Sequence, residues 1–208
     1  MQKTKKMTIN RNLLLKLLIL FICFNGFIPE SILYSSAYAT ERKTISAGDS
    51  SACPAVLLKN QEYFPALINA IDEAKSEIIM SFFLFKAGVH NSSYPDRLLA
   101  RLAGAVQRGV KVMVILENSG GHDRSLDAEN GQTKELLVKN GVEVYLDSPR
   151  KTTHTKLIVI DQRFILLGSH NLTQSALKHN NEISILLDNP DLAREARTYM
   201  QKIIKEAK

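Results

Sequence analysis

The 208-residue chain has two cysteines, Cys23 and Cys53, and Cys23 sits in an amino-terminal apolar segment. That leaves Cys53 alone in the remainder, which excludes an intramolecular disulfide there. Cys53 reads as an unpaired thiol, with pairing between chains as the alternative. No Cys/His cluster has zinc-like spacing, so the structural zinc classes are excluded. No internal repeat is evident, so any motif the chain carries occurs once. The run from Leu13 to Ile22 is interrupted by Lys16 and followed closely by Asn25, Gly26 and Pro29, short of the roughly 20 apolar residues that span a bilayer.

A global basic field is lacking as well. The formal charge is +6, but five basic residues (Lys3, Lys5, Lys6, Arg11 and Lys16) face only Glu30 within residues 1–39. That segment holds +4 of the total, and the remainder holds +2. Attraction of a polyanion must then come from a local patch rather than from net charge. The same segment places basic residues, an apolar run and Ala37-Tyr38-Ala39 in the order of a secretory signal. The expected organisation is a signal peptide over residues 1–39, a polar linker over 40–55 and one folded domain over 56–208. Cleavage near Ala39 would export the protein to the periplasm or the exterior, with an uncleaved amino-terminal membrane anchor as the alternative.

Beyond the linker, apolar spacing predicts a helix over 60–75 with Asn60 as its cap, and a strand over 77–85. A helix over 96–108 stopped by Gly109, a strand over 110–116, a polar loop over 118–132 and a short helix over 133–140 follow. Strands at 142–146 and 183–187 and a closing helix over 191–207 complete the pattern. Strands alternating with helices argue for an α/β layered fold with a mostly parallel sheet flanked by helices on both faces.

The informative stretch runs from His154 to Glu182. His154 and Lys156 stand two apart at the head of an apolar run, so as a strand they would share a face. Asp161 follows the run, and a second run ends in Gly168-Ser169-His170-Asn171. An imidazole, an ammonium, a hydroxyl and an amide at adjacent strand ends would form a pocket for an oxyanion, with phosphate the obvious candidate.

The pattern His154-x-Lys156, then Asp161, then Gly168-Ser169-x-Asn171 resembles the signature of the phospholipase D superfamily, in its small exported members with one copy of the motif. Arg108-Gly109-Val110-Lys111-Val112 is similar to the family's first half, and the likeness extends from about Val56 to the end. The resemblance implies a phosphodiesterase working through a covalent phosphohistidine on His154. Lys156 and Asn171 would bind the non-bridging oxygens, as donors preorganised around an oxyanion do. Ser169 would add a hydrogen bond, and Glu182 would orient the nucleophilic ring. Asp161 and Gly168 are read as structural members of the motif. With lysines neutralising the phosphate, no metal ion or other cofactor is needed.

A leaving group needs an acid, and one motif supplies one histidine. A homodimer sharing one active site across its two-fold axis would bring a second His154 into the pocket. Arg150, Lys151 and Lys178 flank the motif and suit a polyanionic backbone. The framing loops offer few exposed apolar residues for a lipid surface. These features lean towards a non-specific, metal-independent endonuclease, with phospholipase D action on phosphatidyl lipids as the alternative. An inactive nucleic-acid- or phosphate-binding module is a third reading, opposed by the complete motif. No aromatic stacking platform is legible in the sequence. His90 and His122 are expected to face solvent, and His179 to lie at the rim of the site or in solvent.

Overall fold

The computed structural model describes residues 54–207. The segment expected to be a signal peptide, the cleavage site expected near Ala39, both cysteines and all but the end of the expected linker lie outside them. The described chain opens with a strand that the sequence did not signal, β1 (Ala55–Lys59). A 3-10 turn leads into helix α1 (Tyr63–Glu73), then strand β2 (Glu77–Phe82) and helix α2 (Tyr94–Gln107). Strand β3 (Lys111–Leu116), helix α3 (Arg124–Lys139) and strand β4 (Glu143–Leu146) follow. The second half is β5 (Lys156–Ile160), β6 (Phe164–Gly168), a short helix α4 (Gln174–Lys178), β7 (Ile183–Asp188) and α5 (Pro190–Glu206).

Seven strands form one sheet in the order β1-β7-β6-β5-β2-β3-β4. Strand β2 is buried along its whole length and deals its side chains alternately to two cores. Ile78, Met80 and Phe82 enter the larger one, beneath α1, α2, α3 and α4. Ile79 enters the smaller one, with Met113, Ile115, Leu157, Val159 and Ile165 beneath Met200 and Ile203 of α5. The α/β class and the helices on both faces are as expected.

The pairing is not. Only β2–β3 and β3–β4 are parallel, and the other four pairings are antiparallel. The parallel expectation rested on strand–helix alternation, which ends at β4. From there the chain returns to lay β5 against β2, and the three residues between β5 and β6 can join only antiparallel neighbours.

Two local expectations also change. Much of the polar stretch 118–132 belongs to the 16-residue helix α3, capped by the Asp123 carboxylate accepting from the amides of Ser125 and Leu126. Its buried face is Leu126, Asn130, Thr133 and Leu137, and two of these four are polar. An apolar count therefore misses the stripe. Asn130 earns its burial by accepting from the Phe85 amide (3.0 Å) and donating to the carbonyls of Phe83 and Glu117 (2.9 Å each). Asn60, read as a helix cap, instead adopts a left-handed conformation (φ 51°), and Glu62 stands at the helix start.

Candidate active site

The hairpin β5–β6 carries the motif, and its two ends are built differently. At the closed end the Asp161 carboxylate accepts from the amides of Lys75 (2.9 Å), Ser76 (2.8 Å) and Glu77 (3.0 Å) and from the Ser76 hydroxyl (2.8 Å). It thereby pins the hairpin turn to the head of β2. Burial alone would raise the Asp161 pKa, but these bonds to its charged form outweigh burial and lower it. Gly168 stands at the other end of β6 because a Cβ there would lie 2.1 Å from Ser184 Oγ and 2.4 Å from the Ile183 carbonyl oxygen.

At the open end Lys156 begins β5 and His154 lies just before it, exposed. Lys156 is 8% exposed, and its ammonium lies 3.3 Å from Nδ1 and 3.2 Å from Nε2 of His154 and donates to the His154 carbonyl at 3.1 Å. Burial lowers the Lys156 pKa, against an opposing pull from Glu182. Burial, then the Lys156 charge, lowers the His154 pKa, which favours the neutral imidazole that a nucleophile requires. Asn171 Oδ1 is buried without a hydrogen-bond partner.

Ser169 and Glu182 meet across β6 and β7: the Ser169 hydroxyl donates to the Glu182 carboxylate and accepts from the Ile183 amide at 3.1 Å. The Asn180 side chain donates to the other Glu182 oxygen at 3.2 Å. The expected contact of Glu182 with the nucleophilic ring is therefore not made within one chain; its carboxylate holds Ser169 instead. Asn60 fixes this segment, donating its amide to the Glu182 carbonyl (2.9 Å) and accepting from the Glu182 amide through Oδ1 (2.8 Å). His170, in the variable position of the turn, is fully buried, stacked on Tyr63 with ring centroids 4.3 Å apart. Its Nδ1 pairs with Ser184 Oγ at 2.7 Å and its Nε2 with the Asn60 carbonyl at 3.0 Å.

Three residues escaped the sequence reading. Phe83 packs edge-on against the His154 ring, centroids 4.6 Å apart, and lies 5.1 Å from the Lys156 ammonium. Glu117 and Asp147, at the ends of β3 and β4, are buried and hold Thr153, the residue before His154. Glu117 accepts from the Thr153 amide at 2.5 Å, and Asp147 accepts from the Thr153 hydroxyl. Burial raises the Glu117 pKa, the Thr153 amide opposes it, and nearby Asp147 and Asp127 add to the rise. Only their places at the ends of parallel strands hint at this in the sequence.

The flanking basic residues divide between two recesses, and neither recess is lined by His154 or Lys156. Arg150 and Lys151 line one of about 250 Å³ beside α5. Lys178 lines another of about 460 Å³ with Lys86, His90 and Tyr94. His122 and His179 are exposed. Among the described residues, no group of three or more His, Cys, Asp or Glu side chains is placed to hold a metal ion.

A histidine with a buried lysine against its ring, at the open end of an antiparallel hairpin in a mixed sheet, defines the class of site. The family follows from comparison. Residues 67–204 match the family model described as the PLD-like domain of cardiolipin synthase, and the chain belongs to this phospholipase D-like family. Its members are phosphodiesterases. The chain is 28% identical over 156 residues to the mitochondrial cardiolipin hydrolase of Mus musculus, covering 75% of this chain and 64% of the relative. It is 27% identical to a phospholipase D of Rickettsia conorii, covering 86% and 80%, and 34% identical to cardiolipin synthase B of Shigella flexneri, covering 55% and 29%. Thus it spans less than two thirds of the mouse and Shigella relatives. The phospholipase D family member Nuc from Salmonella typhimurium shares the fold, with a TM-score of 0.62 at 23% identity over 74% of this chain and 96% of Nuc.

Proposed function

We propose that the protein hydrolyses phosphodiesters by nucleophilic attack of the His154 imidazole on phosphorus. A covalent phosphohistidine forms, and water then hydrolyses it. The observation that carries this reading is the ammonium of the buried Lys156 side chain 3.2–3.3 Å from both ring nitrogens of His154. A cation held in a low-dielectric setting beside the nucleophile supplies the charge that a phosphate transition state needs. Asn171 completes the oxyanion contacts through its side-chain N–H, and Glu182, which accepts from the Ser169 hydroxyl, fixes the turn that carries Asn171.

One chain offers one such histidine. We therefore assign the leaving-group proton to His154 of the partner subunit in a two-fold dimer that shares the pocket. Lysines provide the positive charge, so the reaction is expected to proceed without a metal. The substrate we favour is nucleic acid cut with little sequence preference, because the cations Arg150, Lys151 and Lys178, which flank the motif in sequence, line two recesses. A phosphatidyl lipid is the second reading, favoured by the likeness to a phospholipase D and a cardiolipin hydrolase. We further propose that residues 1–39 direct export, so the secreted protein would begin at Thr40.

Incubating the purified protein with plasmid DNA, RNA or phospholipid vesicles, with and without EDTA, tests these readings together. Nucleic-acid cleavage that survives EDTA supports the favoured one, and release of lipid headgroup alone reverses it. An active monomer by light scattering would contradict the shared pocket.

A further inference from the structure

Tyr199 is 48% exposed on α5, and it lies in the same recess as Arg150 and Lys151, about 50 positions away in sequence. Tyr199, Lys202, Ile203 and Glu206 recur at the spacing of one helix face, and all four line the recess. Across from them runs the segment 147–153, whose last residue, Thr153, immediately precedes the nucleophile. Three cations and a half-exposed aromatic ring thus converge on a recess whose wall ends at Thr153, the residue before His154.

The two acids in the wall are already engaged. Asp147 accepts from the Thr153 hydroxyl and from the Ser148 amide (2.6 Å), and Glu206 lies 3.9 Å from Lys202. Arg150 donates only a long bond, 3.3 Å, to the Ser148 hydroxyl. The recess has about 250 Å³ of space, below the roughly 300–1,000 Å³ of pockets that take drug-sized ligands. Apart from Tyr199, the apolar side chain in its wall is Ile203, so an acyl chain would meet mostly hydroxyls and charges.

We infer that this recess is a nucleotide subsite for single-stranded nucleic acid. One base stacks on Tyr199 while Arg150, Lys151 and Lys202 hold the phosphates on either side. The subsite feeds the strand towards His154 and deepens the nuclease reading of the preceding section, on which it rests. It also supplies the stacking group that the sequence did not reveal.

The test uses H154N protein, so that binding is read without cleavage, and a short fluorescein-labelled oligothymidylate followed by anisotropy. Tyr199→Ala is expected to weaken binding roughly tenfold or more, and Tyr199→Phe to retain it. Lys202→Ala should lower the slope of log affinity against log salt by about 0.7. Melting curves check that each variant is folded. Parental affinity in both Tyr199→Ala and Lys202→Ala would overturn the subsite. So would a loss confined to binding of phosphatidylglycerol vesicles, which would make the recess a membrane contact. The His154-intact enzyme keeps the two proposals apart. If it fails to cut any nucleic acid while Tyr199→Ala still loses oligonucleotide binding, the nuclease reading falls and the subsite stands.

Discussion

The two ends of the β5–β6 hairpin contain motif residues of similar chemistry in opposite states of satisfaction. At the closed end Asp161 collects four hydrogen bonds from Lys75, Ser76 and Glu77. At the open end Lys156 is a buried cation held against a histidine rather than a carboxylate, and Asn171 keeps a buried oxygen without a partner. A satisfied end lowers the free energy of the fold. An unsatisfied one costs about 1–3 kcal/mol for each polar group left without its bond, and it leaves the Lys156 cation free of a carboxylate partner. The difference separates the residues that hold the hairpin from those to which we assign the chemistry, although both sets belong to one sequence pattern.

This contrast can be broken by substitution, beginning with the largest effect. Replacing His154 with Asn should reduce hydrolysis of bis(p-nitrophenyl) phosphate by about 10⁴-fold or more, as losses of covalent nucleophiles do, while the melting temperature stays at or above the parental value. A variant that melted much earlier would place His154 with the structural end. Lys156→Ala is expected to lower kcat by about 10²–10³-fold, the scale seen for removal of one oxyanion donor. The buried charge disappears with it, so urea unfolding should show no loss of stability beyond that of the side-chain packing.

The residues that hold the hairpin, Asp161 at its closed end and Gly168 at the far end of β6, should respond in stability instead. Gly168→Ala forces a methyl group onto backbone and hydroxyl atoms of β7. A cost of about 1–3 kcal/mol or more in urea unfolding is expected. Asp161→Ala should cost about 1–3 kcal/mol by leaving the amides of β2 short of an acceptor, with kcat per folded molecule retained. The lowered Asp161 pKa fixes the sign with pH. Its contribution is complete above the unfolded value, about 3.9, and is lost as pH falls through the lower folded value. Acid titration of stability should therefore be shallower in Asp161→Ala.

The smallest effect sharpens the open end. Because burial and Lys156 lower the His154 pKa, the acidic limb of kcat/KM should lie below the ordinary histidine value of about 6.5. Lys156→Met removes the nearby cation, so the limb of its residual activity should move to higher pH. An unmoved limb would mean that some other group sets it.

Much of this was legible in the chain. The motif spacing pointed to His154, Lys156, Ser169, Asn171 and Glu182 because a strand-turn-strand unit keeps such residues near one another. The structure brings His154 against Lys156 and Ser169 against Glu182. Strand β2 and helix α5 were readable from runs and periodicity alone. Helix α3 was obscured by Asn130 and Thr133, which are buried through hydrogen bonds rather than apolar surface. Phe83, Glu117, Asp147 and Tyr199 reach the site or its flank from distant positions, and local pattern carries no information about such meetings.

Local physics, written into the sequence, determined the two apolar strands of the hairpin, the polar groups at their ends and the turns between them. Each of these depends on side-chain period, chain geometry and neighbours a few residues apart. Tertiary structure alone decided that the sheet would be mainly antiparallel, that Glu182 would hold Ser169 within one chain, and that Asp161 would clamp β2 about 85 positions away. Those choices turn on which surfaces and polar groups can be satisfied together, a balance struck across the whole domain. The hairpin was identifiable from the sequence, but only the fold showed which of its ends was left open.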